Sequence, residues 1–100
     1  MKIYVTMVKF LYDHDEIVST HLTRKGALIH IIETMTGDLC GGIDPDELEE
    51  CRTDMPHNPE QDLMCYSGEQ LAGIFSDWLE YSHDMIEHMA YEWFETEVQV

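Results

Sequence analysis

The first dozen positions alternate in the pattern of a β-strand. Apolar, β-branched and aromatic side chains fill both sides of residues 2–12, so we predict a strand that is covered in part on both faces. A polar turn at 13–16 follows. The short β-branched stretch 17–22 then predicts a hairpin partner for the first strand.

Helical spacing of apolar residues begins after this hairpin. Thr23 is placed to cap a helix over 24–36, and Gly37 is placed to end it. A second, shorter helix is predicted from Asp44, because Pro45 suits its first position and Glu47 completes a capping pattern. Residues 53–66 form the least regular segment.

The third predicted helix is the strongest element of the chain. Ser67 and Gln70 form a capping box at its start, and the helical period continues over 68–89. At about 100° per residue, one face is apolar. Its members are Leu71, Ile74, Phe75, Trp78, Leu79, Ser82, Met85, Ile86 and Met89. The opposite face carries Glu69, Asp77, Glu80, Asp84 and Glu87.

After Ala90 the side chains again alternate at every second position, so a final strand is expected. Phe94, Thr96 and Val98 then share one side, and Trp93 and its alternate neighbours share the other. The predicted order is therefore β-β-α-α-α-β. It describes one α+β domain over 1–100, with an antiparallel or mixed sheet and the helices packed on one face.

Charge changes this picture of an ordinary small domain. The chain has 21 acidic and 5 basic residues, a formal net charge of −16. Residues 1–25 carry 4 − 3 = +1, whereas residues 26–100 carry 1 − 18 = −17, with Arg52 the last basic residue. A large basic face for nucleic acid or anionic lipid is excluded by this count.

The acidic side of the third helix is the main candidate for function. Asp77, Glu80, Asp84 and Glu87 form like-charge pairs three and four residues apart, each costing about 0.2–0.5 kcal/mol in an isolated helix. An ordinary surface helix would interleave lysines. Two interpretations stay open: a solvated face that keeps the protein soluble, or a ligand for a basic partner.

Nucleic acid offers a physical comparison for such a row. A DNA strand presents one charge per about 3.4 Å, and this helix presents a carboxylate every ~4.5–6 Å. A further acidic set, which could form a second row, follows Asp44 in the second helix. Its members are Asp46, Glu47, Glu49 and Glu50.

In its net charge and its two acidic rows, the chain resembles the small acidic inhibitors made by bacteriophages, namely DNA-mimic anti-restriction proteins and some anti-CRISPR proteins. The resemblance implies a protein without enzymatic activity or cofactor that blocks a basic, nucleic-acid-binding surface of a host defence complex. It implies action in the host cytoplasm. Self-repulsion of the acidic face, together with a sheet edge that could still pair, predicts a monomer or weak dimer. No residue role is carried over from that class.

The sequence thus predicts a partner-binding surface, with two other classes left open: an adaptor, and a small enzyme or metal protein. Its residues are Asp77, Glu80, Asp84, Glu87, Glu69, Asp46, Glu47, Glu49, Glu50 and Trp93. For Trp93, a place in the core and a place in the interface are both possible. The main alternative is an adaptor that binds through an apolar-aromatic surface, with the charge serving solubility alone. Adaptation to high salt would also explain the excess of acids.

Metal binding and catalysis have weak sequence support. Cys40, Cys51, His57 and Cys65 lack the close cysteine pair typical of structural zinc sites. Glu80 and His83 make a single E-x-x-H, where di-iron bundles need two. The three cysteines are odd in number and widely spaced, which favours a reducing cytoplasm. We therefore expect no metal, no cofactor and no enzyme activity.

Overall fold

The computed structural model describes residues 1–10, 16–38, 46, 55–57, 61–82 and 89–99, together with the backbone of 39–40. These residues form three strands: β1 (Lys2–Phe10), β2 (Glu16–His21) and β3 (Met89–Glu97). The same ranges contain two α-helices whose start and end are both described: α1 (Arg24–Cys40) and α2 (Gly68–Ser82). A 3-10 turn spans Leu63–Cys65. The α+β class is confirmed, with two α-helices in the described residues where three were predicted.

The three strands form one antiparallel sheet in the order β2-β1-β3. The sheet is therefore not mixed. In its unbroken register, Val8 lies between Ile17 of β2 and Tyr91 of β3. Thr6 lies between Ser19 and Trp93. Even-numbered residues of β1 and odd-numbered residues of β2 and β3 consequently share one side of the sheet.

That side packs against α1. Val8 and Tyr91 are buried in the same cluster as the apolar residues of α1, and Trp93 packs against the cluster. The Tyr91 hydroxyl donates a 2.6 Å hydrogen bond to Oδ2 of Asp38, which ties β3 to the last turns of α1. Burial, together with this bond and the charge of the Asp38 carboxylate, raises the pKa of Tyr91.

The opposite side of the sheet is the more open one. Phe94 and Val18 are exposed there at the two edges. Only the central Val5 is buried among the described residues of this side, between Thr20 and Phe94. The predicted cover on both faces of β1 is therefore unequal.

The start of α1 is as predicted, and its end is not. Oγ1 of Thr23 accepts a 3.0 Å hydrogen bond from the N–H of Gly26, which is the expected N-cap. The helix passes through Gly37 and continues to Cys40. A Cβ atom at Gly37 would have no neighbour within 4 Å. A glycine inside a helix costs about 1 kcal/mol of stability relative to alanine, so it does not by itself end the helix. The bond from Tyr91 to Asp38 stabilises the turn that follows it.

The helix α2 packs on α1 rather than lying beside it on the sheet. Both helices contribute to the core on the side of the sheet that carries Val8 and Tyr91, and α1 makes the closer contact with the strands. A single buried cluster joins β1, α1, the 3-10 turn, α2 and β3. Its largest fully buried side chains are Trp78, Leu28, Ile31, Ile32, Met35 and Leu71.

Several predicted features lie outside the described residues. Of the short helix from Asp44, only Asp46 is described, and it is exposed in helical backbone. Residues 83–88, including Met85 and Ile86, are also outside. Met89 was predicted on the apolar face of the third helix and instead begins β3. No helix in the described part of the chain has the length and apolar character needed to cross a membrane.

Candidate partner-binding surface

The first turn of α2 is held by the predicted capping box. The backbone N–H of Gln70 donates to Oγ of Ser67 at 3.2 Å. In return, the N–H of Ser67 donates to Oε1 of Gln70 at 2.9 Å. Two backbone donors are satisfied reciprocally, so the helix start is fixed without a tertiary contact. This sets the rotation of every side chain that follows.

The apolar face of α2 is the buried one, as predicted. Leu71, Phe75, Trp78 and Ser82 are buried, and Ile74 is half-buried. Leu79 is exposed, so the apolar stripe is narrower than the sequence pattern indicated. The reason is its position at the margin of that stripe, about 100° around the helix axis from Trp78 and about 70° from the centre of the buried residues.

The predicted carboxylates of α2 that are described all face solvent. Glu69, Asp77 and Glu80 are exposed. By helix geometry they lie within about 80° of one another around the axis. Asp77 and Glu80 are separated by ~4.5 Å along it, and Glu69 lies ~16 Å from Glu80. The helix therefore carries an acidic side opposite its buried one, while Asp84 and Glu87 are outside the described residues.

The three lysines of the described residues are engaged away from α2. Lys2 pairs with Glu95 (3.3 Å) and Lys9 pairs with Glu92 (3.4 Å), both across neighbouring strands. The ammonium of Lys25 donates to the backbone oxygen of Met64 at 2.8 Å, at the 3-10 turn. The carboxylates of β3 are thus partly neutralised by β1.

The carboxylates of α2 have no such neutralisation in the described part of the chain. No Lys or Arg among those residues pairs with Glu69, Asp77 or Glu80. Arg52 is outside the description. The negative charge of this helix is therefore available to a partner, because nothing described within the protein competes for it.

The second acidic row is only partly described. Asp46 is exposed. Glu47, Glu49 and Glu50 lie outside the described residues, so the predicted association of this row with α2 stays a prediction.

The structure places Trp93 at the margin of the core, and its role in an interface stays a prediction. It lies on the helix-facing side of the sheet and packs against the buried cluster. Its ring is nevertheless half-buried, and the guanidinium of Arg24 lies 5.6 Å from the ring centroid. A cation over an indole face is attracted by the ring quadrupole. Trp93 therefore stabilises the junction of α1 with β3 and keeps part of its ring accessible.

His57 is the residue that sequence reasoning missed. The indole N–H of Trp78 donates to its Nδ1 at 2.7 Å, and Tyr66 lies edge-on to it at 6.5 Å. Burial lowers the pKa of His57. The sequence suggested only a zinc ligand, and no local pattern could show that this side chain anchors a loop to α2.

Metal ligation has no described site to support it. Within the described ranges, no group of three or more His, Cys, Asp or Glu side chains is arranged to hold a metal ion. Of the predicted zinc candidates, Cys65 is an exposed free thiol and His57 is bonded to Trp78. The side chains of Cys40 and Cys51 are outside the description.

The described surface offers carboxylate acceptors on α2, a helix that is capped at its start and packed on the core. Such acceptors suit the charge-assisted hydrogen bonds of lysine and arginine. No family model, no curated protein and no solved structure matches this chain. Its function must therefore be inferred from its own geometry and charge.

Proposed function

We propose that this protein is a non-enzymatic inhibitor that binds a basic, nucleic-acid-binding surface of another protein and excludes the nucleic acid. The observation that carries the proposal is the acidic side of α2, formed by Glu69, Asp77 and Glu80, with which no Lys or Arg of the described ranges forms an ion pair. The resemblance to acidic phage inhibitors adds the class of partner, a host defence complex.

The chemistry of recognition follows from the charge. A partner surface shaped for phosphates presents lysines and arginines, and arginine binds carboxylates in the same bidentate manner as phosphates. The net charge of −16 steers a basic partner toward the protein and accelerates encounter. Binding then excludes nucleic acid by occupying the same groups, without any reading of bases.

The rigidity of α2 supports the same function. Its start is fixed by Ser67 and Gln70, and its buried side is held by Trp78 in the core. Acidic side chains on such a helix lose less freedom on binding than those of a flexible tail, so more of the electrostatic attraction is kept as affinity.

The test uses two charge-matched variants. Asp77→Asn/Glu80→Gln removes two carboxylates from α2, and Glu33→Gln/Glu97→Gln removes two exposed carboxylates from α1 and β3. Each variant and the wild type are used to capture proteins from a host lysate, and duplex DNA or RNA is added as competitor. The captured protein is then purified and its affinity is measured at several salt concentrations.

We expect capture of a nucleic-acid-binding protein that the competitor releases. Its affinity for wild type should fall steeply as salt rises, since exposed charges are screened within about 8–10 Å. The α2 variant should bind several-fold more weakly than the α1/β3 variant. Equal affinity of the two variants at low salt would remove α2 from the binding site.

A second candidate function rests on the open side of the sheet. Phe94 is 41% exposed there, and Met7 is half-buried between Val18 and Glu92. An adaptor that binds through this apolar strip, with its charge serving solubility, would hold its partner almost independently of salt. Phe94→Ala would weaken that complex, whereas Asp77→Asn/Glu80→Gln would not.

A further inference from the structure

We propose that the chain self-associates through β2, which pairs antiparallel with β2 of a second copy and continues the sheet across a two-fold axis. This inference does not depend on the proposed inhibitor function, because it uses the edge of β2 and none of the carboxylates of α2.

The direction of the backbone groups can be read from one end of the sheet. The N–H of Val98 donates to the carbonyl of Met1 at 2.8 Å, and the amine of Met1 donates to the carbonyl of Val98 at 3.1 Å. These two residues therefore form a mutually bonded pair. The antiparallel register continues without interruption to the pair of Phe10 and Met89, so bonded and non-bonded pairs alternate.

It follows which groups of β2 face outward. The N–H and C=O groups of odd-numbered residues in β1 point toward β3. Those of even-numbered residues therefore point toward β2. In β2, Ile17 and Ser19 are opposite even residues and are bonded to β1. Glu16, Val18 and Thr20 are opposite odd residues, so their N–H and C=O groups point away from the sheet. No strand in the described part of the chain pairs with them.

The side chains of this edge lack the usual protection. Edge strands are commonly guarded by charged residues against pairing with another chain. The edge strand β3 follows this rule and carries Glu92, Glu95 and Glu97. The edge strand β2 has no charged residue after Glu16.

Exposed apolar residues occupy that unguarded stretch instead. Ile17 is 56% exposed, Val18 is 52% exposed and the adjacent Leu22 is 75% exposed. A strand of this composition, with free backbone groups along one side, is suited to pairing with another strand.

Charge opposes a second copy less at this edge than in the rest of the chain. The segment 1–25 has a net charge of +1, whereas residues 26–100 carry −17, so repulsion between two copies is weakest when they meet through the N-terminal segment. A two-fold register centred on Ser19 places Val18 opposite Thr20 and Ile17 opposite His21. Glu16 then lies opposite Leu22, so no like charges meet across the new ladder.

The product is a continuous six-stranded sheet with β2 strands at its centre, a size common in proteins. The contact is a single strand pair, so the dimer should dissociate on dilution. Each dimer would present two acidic α2 helices, which would raise avidity for a partner with two basic sites.

The test measures the mass of the full chain by sedimentation equilibrium over about a hundredfold range of concentration. We expect a rise from the monomer mass of 11.7 kDa toward twice that value. Thr20→Pro removes an outward N–H and leaves the bonds to β1 in place. Val18→Lys adds a charge at the same edge.

Phe94→Lys is the matched control, because Phe94 and Val18 lie on the same open side of the sheet but at opposite edges. We expect both β2 variants to stay monomeric with a folded circular dichroism spectrum, and Phe94→Lys to dimerise as wild type does. If Thr20→Pro fails to fold, the mass of folded Val18→Lys decides whether the β2 edge forms the dimer.

Three results would overturn the proposal. One is a wild type that stays monomeric at every concentration. Another is a dimer that persists in folded Val18→Lys. The third is a dimer that Phe94→Lys abolishes, which would assign self-association to the open sheet side instead of the β2 edge.

Discussion

The indole N–H of Trp78 donates a 2.7 Å hydrogen bond to Nδ1 of His57, which is 8% exposed. The two residues are 21 positions apart, and the bond joins residues 55–57 to the fully buried side of α2. Because Nδ1 accepts, the imidazole is neutral and carries its proton on Nε2. The contacts that hold α2 in place therefore include a titratable side chain, that of His57.

The first prediction concerns pH. Burial lowers the pKa of folded His57 below its ordinary value of 6.5, so the unfolded chain takes up the proton first as pH falls. Its contribution to stability is complete above about pH 6.5 and is lost as pH falls through the folded pKa. Urea unfolding measured from about pH 7.5 to about pH 5.5 should show this loss.

His57→Asn is the control for that experiment. Asparagine places an oxygen acceptor near the position of Nδ1 and does not titrate. Burial and the nearby His30 also lower the pKa of His21, and this contribution is unchanged in the variant. The variant should therefore lose less stability than wild type over the same interval. Equal slopes for the two proteins would show that His57 does not titrate with folding.

The second prediction concerns the capping box of α2. Ser67→Ala removes the acceptor of the Gln70 N–H and should lower the free energy of unfolding by about 1 kcal/mol. Ser76→Ala, an exposed serine within the same helix, should leave stability unchanged or raise it slightly. Denaturant unfolding of both variants checks this, and similar losses would show that the cap contributes nothing specific.

The third prediction compares neighbouring aromatic residues of β3. Trp93 packs against the buried cluster under Arg24, so Trp93→Ala should lower the free energy of unfolding by about 2–3 kcal/mol. Phe94 faces the open side, so Phe94→Ala should cost about 1 kcal/mol or less. The reverse order in urea unfolding would contradict the side assignment of the strand.

The fourth prediction concerns the stability effect of the acidic side. Asp77 and Glu80 are exposed like charges three residues apart, so Asp77→Asn/Glu80→Gln should keep stability or raise it by a few tenths of a kcal/mol. Added salt should stabilise wild type more than the variant, since it screens the repulsion. Thermal unfolding at low and high salt measures both effects. A destabilised variant would show a structural role for these carboxylates.

Local patterns predicted the elements whose cause is local. The caps formed by Thr23 and Ser67 depend on residues within four positions, and the structure has both. The burial of Phe75 and Trp78 followed from helical spacing, because an apolar stripe must face a core wherever that core lies. The acidic side of α2 was predicted from the same spacing of about 100° per residue.

Other features depended on contacts between distant residues. The bond from Tyr91 to Asp38 spans 53 positions, and α1 passes beyond Gly37 to reach it. Alternation in β3 could not show whether Trp93 or Phe94 faces the helices, because both are large and aromatic; the register with β1 decides it.

The charge asymmetry, the amphipathic helix α2 and the strands could be read from the amino-acid order alone, because they follow from composition and from periods of two and 3.6 residues. The folded structure was needed to show that the lysines of β1 pair with glutamates of β3, and that no Lys or Arg of the described residues pairs with the carboxylates of α2. The reason is physical: an ion pair needs two side chains within a few ångströms, and strand pairing brings together residues that the sequence separates by almost its whole length.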